Sequence, residues 1–218
     1  MWLRQYRVLI GGSRVATKRY ASSHIKRHPS TSAVREVPTP LVFLSARSWD
    51  PNSDMGMRHL ASWFPERGYT TIEIDVDVES LNDDSTMWGS YEPIYPELGS
   101  QIRLADAPWP PVLFARSAGS LIAQTYISSN PSTGLCLISP PFSNADVQNV
   151  RMTTRVDYTF EPKFPIAILD ETERLAKLQA HHRLLQFNSP WVSALPVNTL
   201  GGQEMVNILE RWLDDIGV

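Results

Sequence analysis

From residue 41 onward, strand-length apolar runs and helix-length segments succeed one another, a strand–helix alternation repeated five times. The runs fall at 41–44, 70–76, 111–115, 134–138, 164–169 and 196–200. Parallel strands cannot be joined by a tight turn and need a crossover, usually a helix, so the alternation implies a mostly parallel sheet. Helices then cover both faces, giving a three-layer α/β/α architecture. The helix-length segments are 57–64, 96–104, 118–127, a stretch from the 170–173 turn to 185, and 205–216. The last is patterned most sharply, with Met205, Ile208, Leu209, Trp212, Leu213 and Ile216 on one stripe. A chain of 218 residues suits one domain with a proper core.

Within this scheme, residues 111–127 read PVLFARSAGSLIAQTYI, and the junction between strand and helix carries Ser117. Small residues flank it two positions away, Ala115 before and Gly119 after. A serine on so tight a turn needs small neighbours, because larger side chains would strike the adjoining strand and helix. The helix N-terminus then offers its dipole and free N–H groups to an oxyanion formed at the serine. An ordinary junction with a capping serine uses the same letters.

The sequence Ala115-Arg116-Ser117-Ala118-Gly119 resembles the nucleophile elbow G-x-S-x-G of the α/β-hydrolase family, with alanine in place of the first glycine. The resemblance covers about 41–218 and implies a compact member that starts at the third strand, without the usual first hairpin. It implies Ser117 as nucleophile towards an ester, thioester or other small acyl substrate. The N–H groups of Ala118 and of Arg47, in the loop after the first run, become the oxyanion donors. The acid follows the run 164–169: counting from Asp170 gives Glu173, with Asp170 as second choice. In open sheets of this kind ligands sit at the carboxyl ends of the strands, where Arg47, Ser117, Glu173 and Gln203 are expected to converge. Residues 142–163 lack periodicity and stand where the family carries a lid.

The base departs from the pattern. Where the family often reads Gly-Gly-His before its last helix, this chain reads Gly201-Gly202-Gln203. Glutamine takes no proton near neutral pH. His24 and His28 lie in the linker, His59 in the first helix, and His181 and His182 about 12 Å down the helix after Glu173 at ~1.5 Å per residue. None restores a triad. Two accounts therefore stand: a serine hydrolase with an incomplete triad, or an inactive hydrolase-fold protein that binds a ligand or a protein partner. Arg116 is a candidate to hold an anionic substrate group, or else is tied down internally.

Charge separates the N-terminus from the rest. Residues 1–35 hold eight Arg and Lys and no acid, against a net charge of −3, which leaves −11 for the remainder. An acid-free, Arg- and Ser-rich start resembles a mitochondrial presequence, and Arg19-Tyr20-Ala21-Ser22-Ser23 resembles a matrix-protease site cut after Tyr20. The alternative is a basic arm for nucleic acid or anionic lipid. The expected division is a presequence over 1–20, a linker over 21–40 and the hydrolase-like domain over 41–218, with a matrix location. The acidic body argues against a nucleic-acid partner. No apolar run approaches the ~18 residues of a membrane span. Cys136, the single cysteine, lies in an apolar run and reads as a buried structural thiol. No Cys/His cluster has metal-ligand spacing, and no cofactor fingerprint is visible.

Overall fold

The computed structural model describes residues 22–78, 94–143, 158, 160–187 and 189–218. The expected presequence and its cleavage site, most of the acidic stretch 77–93, and most of the lid segment lie outside the described residues. Seven strands form one sheet in the order β1-β3-β2-β4-β5-β6-β7. They are β1 (Ser23–Arg27), β2 (Val37–Ser45), β3 (Tyr69–Asp75), β4 (Val112–Arg116), β5 (Gly134–Ile138), β6 (Ile166–Glu171) and β7 (Val192–Val197). All neighbouring pairs are parallel except β1 with β3. The three-layer, mostly parallel architecture read from the alternation is the one observed.

Helices α1 (Met57–Trp63) and α6 (Gly202–Asp215) cover one face of the sheet. Helices α2 (Ile94–Leu104), α3 (Gly119–Ile127) and α4 (Thr172–His181) cover the other. Strand β2 shows why both faces fill: successive side chains point to opposite sides. Leu41 and Phe43 enter the α1/α6 layer, and Val42 and Leu44 enter the α2/α3 layer. Continuous apolar runs rather than alternating ones are the mark of strands buried on both sides. Cys136 is fully buried on β5, and burial pushes its thiol pKa up, as befits a structural thiol.

Three elements differ from the sequence reading. Part of the expected linker is sheet: Ser23–Arg27 pairs antiparallel with β3, so one edge strand precedes the run at 41–44, and β2 itself begins at Val37, inside the linker expected to continue to Pro40. Its composition, SHIKR, offers one apolar residue, because a half-exposed edge strand needs no alternating pattern. The last strand spans Val192–Val197 rather than 196–200. Pro196 lies inside it, which an edge strand tolerates because a proline there costs no ladder hydrogen bond. The helix expected to run through Leu185 breaks at His182, whose backbone is extended, and restarts as the short α5 (Arg183–Gln186).

Candidate functional site

Strand β4 delivers Arg116 to the carboxyl edge of the sheet, in register with Ile138 of β5. The chain then reverses through Ser117, whose φ of 49° is in the left-handed region that a residue with a Cβ seldom enters. Two backbone bonds hold it: Ser117 N–H donates to the Ile138 carbonyl at 3.0 Å, and its own carbonyl accepts from Ser120 N–H at 3.0 Å. Strain of this kind persists only where the surroundings fix it, and it concentrates at functional turns. Gly119 follows close against the β2 strand: a Cβ there would stand 3.4 Å from the Leu44 carbonyl oxygen, just at van der Waals contact. Ser117 is half-buried between fully buried Ala115 and Ala118. The turn is an elbow in its backbone as well as in its letters.

The two backbone donors expected to receive an oxyanion are both committed to carboxylates. Ala118 N–H donates to Asp50 Oδ2 at 3.2 Å. Arg47 N–H donates to Asp75 Oδ1 at 3.1 Å, while the Arg47 guanidinium grips the other oxygen of the same carboxylate at 2.8–2.9 Å. That side chain runs to β3 and solvent, and the Asp75 carboxylate holds its pKa above the usual guanidinium value. Asp50 is set by its own loop. Its Oδ1 caps the 3-10 turn Pro51–Asp54 by accepting from Asn52 N–H at 2.9 Å. Buried Ser53 ties the turn back, donating to the Asp50 carbonyl at 2.6 Å and accepting from Ala46 N–H at 2.9 Å.

Arg116 is 8% exposed, and its Nη1 donates to the Met55 carbonyl at 2.7 Å. Burial pushes its pKa below the usual guanidinium range, and the charges of Asp170, Asp50 and Glu171 oppose that shift. Backbone, rather than an internal acid, is what ties it down.

The acid candidates do not form a relay to Ser117. Asp170 is the last buried residue of β6 and 0% exposed. Its Oδ2 accepts from Arg174 Nη1, and its Oδ1 accepts from Glu171 N–H at 2.8 Å. Burial raises its pKa above the usual carboxylate value, and the Arg174 charge pulls it back. Arg174 also donates to Ser139 Oγ at 2.9 Å and to the Pro140 carbonyl at 2.6 Å, and lies over the Phe142 ring. Where a triad needs imidazole beside the acid, this chain has a guanidinium. Glu173 is exposed in the first turn of α4. Gln203 is exposed near the start of α6, donating to Asn207 Oδ1 at 2.7 Å, one turn along the same helix.

All five histidines are among the described residues; His28 is exposed just past the end of β1, and the other four have partners or surroundings of their own. His24 bonds Gln101 at 2.8 Å, His59 is exposed beside Trp63, and His181 meets the Phe142 ring edge-on. His182 is buried and lines, with His181, a small cleft against Leu121 and Gln124 of α3. A cleft of about 340 Å³ opens at the opposite, amino end of the sheet, between Arg35, Arg67, Tyr69, Glu210 and Asp214. It is remote from the elbow, and its charges pair internally through Arg35–Asp214 and Arg67–Glu210.

Sequence reasoning missed Asp50, Asp75, Arg174 and Ser139 at this edge. Asp50 lay in a run of turn formers and Asp75 in a strand that alternates. Ser139, with φ 46°, is another non-glycine residue in the left-handed region, one strand away from Ser117.

No family model and no curated protein sequence matches the chain. Solved structures do. An esterase from Thermogutta terrifontis, bound to malate, superposes with a TM-score of 0.65 at 10% identity, covering 90% of this chain and 94% of that one. An alpha/beta hydrolase enzyme from the sediment metagenome of the Mar Chica lagoon, Morocco, gives 0.60 at 13% identity, over 89% and 95%. An alpha-beta serine hydrolase homologue from Coxiella burnetii gives 0.56 at 12% identity, over 89% of each chain. The protein has the α/β-hydrolase fold. At such identities the likeness is one of architecture, and activity has to be argued from the site.

Proposed function

We propose that this chain is a hydrolase-fold protein whose elbow binds rather than turns over: a ligand- or protein-binding module. The observation that carries the reading is the commitment of both candidate oxyanion donors, Ala118 N–H to Asp50 and Arg47 N–H to Asp75. Catalysis of acyl transfer needs those donors aimed at the place where negative charge develops. Here fixed negative charge already sits on them. The remaining chemistry agrees: Gln203 is turned along α6 to Asn207, and Asp170 is held by Arg174. Without base or oxyanion pocket, little of the usual acceleration is left.

The test is direct. Purified protein from residue 21 onward is expected to resist a fluorophosphonate probe at Ser117 across pH 6–9 and to leave p-nitrophenyl acetate at its background rate. Stoichiometric labelling would overturn the reading. Gln203→His alone is expected to change neither result, since the side chain at that position lies along the exposed face of its helix.

The strained backbone of Ser117 favours a second reading, a serine hydrolase acting on a small ester, thioester or acyl substrate. On that reading Gln203→His raises esterase activity above background, the opposite of the outcome just stated. A mitochondrial matrix location is proposed from the acid-free, basic first 35 residues. A reporter fused to residues 1–35 is expected to enter mitochondria, and a cytosolic signal would refute it.

A further inference from the structure

The contact between Asp50 and the elbow says more than that one donor is busy. Ala118 is the N-cap of α3, a position whose N–H has no partner inside the helix, and α3 has no side-chain cap of its own. The nearest free anion position on that helix end is therefore the one an oxyanion takes, and the Asp50 carboxylate fills it at 3.2 Å from the amide. The arm that reaches there is short and doubly anchored. One carboxylate oxygen caps the turn Pro51–Asp54, and the carbonyl of the same residue is pinned by Ser53 through both N–H and hydroxyl. Arg116, directly before Ser117, fixes the far end of the loop through the Met55 carbonyl. The loop thus bridges from β2 to the elbow and presents a carboxylate to it.

We propose that Asp50 is an intramolecular plug of the oxyanion pocket, holding the elbow shut against the oxygen of an acyl or tetrahedral ligand. A ligand bearing such an oxygen meets a charge-assisted hydrogen bond it must displace and a like charge it must approach. Removing the plug opens the position while the strained serine stays in place. The inference deepens the reading of the elbow as a non-catalytic binding site, and rests on it. The two fail separately, because labelling of the unaltered protein at Ser117 tests activity whereas the experiment below tests occupancy.

The probe is phenylboronic acid. Ser117 Oγ adds its lone pair to the trigonal boron, the O–H proton passes to solvent, and the tetrahedral boronate anion places one oxygen at Ala118 N–H. The substitution is Asp50→Ser, since serine keeps an oxygen to cap Asn52 N–H but is too short to reach Ala118. Loss of a hydrogen bond to a charged group corresponds to about a 10- to 100-fold change in equilibrium constant. Asp50→Ser is therefore expected to bind the boronate at least about tenfold more tightly than the unaltered protein. Asp50→Asn, which keeps the shape and loses the charge, falls between. Ser117→Ala on the Asp50→Ser background abolishes the gain.

Equal affinity in folded Asp50→Ser and unaltered protein overturns the plug. A readout that needs no variant runs beside it. In the unaltered protein the Ala118 amide, lacking a helical partner, is expected to exchange slowly with D2O because Asp50 holds it. Exchange at the rate of a free amide overturns the proposal even if the variants do not fold.

Discussion

Arg174→Leu is expected to destabilise the protein by about 3–5 kcal/mol, the loss typical of stripping the partner from a buried ion. Asp170 is 0% exposed, and Arg174 supplies the only countercharge paired with it among the described residues. The same guanidinium links Ser139 and the Pro140 carbonyl to the end of β6, so its loss also leaves those acceptors unmet. The pH dependence follows from the direction of the Asp170 shift. Burial raises its folded pKa above the unfolded value of about 3.9. Between those two values the folded state holds more protons than the unfolded one, so stability rises as pH falls through the window. Taking Arg174 away removes the favourable charge that limits the shift, and the window extends upward. Urea unfolding of Arg174→Leu is expected to show a midpoint that climbs on acidification from pH 7 to pH 5 more than in the unaltered protein. Adding Asp170→Asn should recover part of the loss and flatten the pH response. A cost below about 1 kcal/mol would mean that Asp170 is better solvated than its burial indicates.

The frame of this protein is legible in its sequence because burial on both faces writes itself as uninterrupted apolar runs. The runs at 70–76 and 134–138 match β3 and β5 closely, the run at 41–44 is the fully buried part of a longer β2, and the elbow letters 115–119 carry the turn that the backbone makes. What fails is whatever has one wet side. The strand at 23–27 has a single exposed isoleucine, and its side-chain links are polar, Arg27 to Glu73 at 2.9 Å and His24 to Gln101 at 2.8 Å, so nothing in its letters distinguishes it from linker. The last strand, expected at 196–200, lies at 192–197, where an edge position leaves most of its residues only half-buried and tolerates Pro196 inside it. The site is harder for a different reason. Spacing found Ser117, but Asp50 lies 67 residues earlier and Asp75 is 42 residues before it, so their carboxylates reach the elbow loops only through the parallel pairing of β2 with β3 and β4. A missing histidine is visible in sequence; a carboxylate filling the place where charge should develop is visible only in three dimensions.

The strand that carries the elbow is held by one ring above all, and Phe114→Ala is expected to cost about 3–5 kcal/mol. Phe114 is fully buried three residues before Ser117, stacked on Phe43 at 4.8 Å between centroids, with Phe64 at 6.1 Å and the edge of Trp212 at 6.3 Å. These neighbours come from β2, the turn after α1, and α6, so a cavity there cannot close by moving a single side chain. Against a total stability of about 5–15 kcal/mol, the loss should lower the thermal midpoint sharply. Phe114→Leu, which keeps most of the volume, is expected to cost about 1 kcal/mol. The elbow supplies a sharper reading of the same variant. Ala118 is clamped between β4 behind it and the β2 loop through Asp50, so its amide can exchange by opening of the loop or by unfolding of the sheet. If the clamp is part of the core, Phe114→Ala accelerates exchange at Ala118 and along β4 together. If exchange along β4 quickens while Ala118 keeps its former rate, the loop opens on its own, and Asp50 is a gate that moves without the strand it leans on.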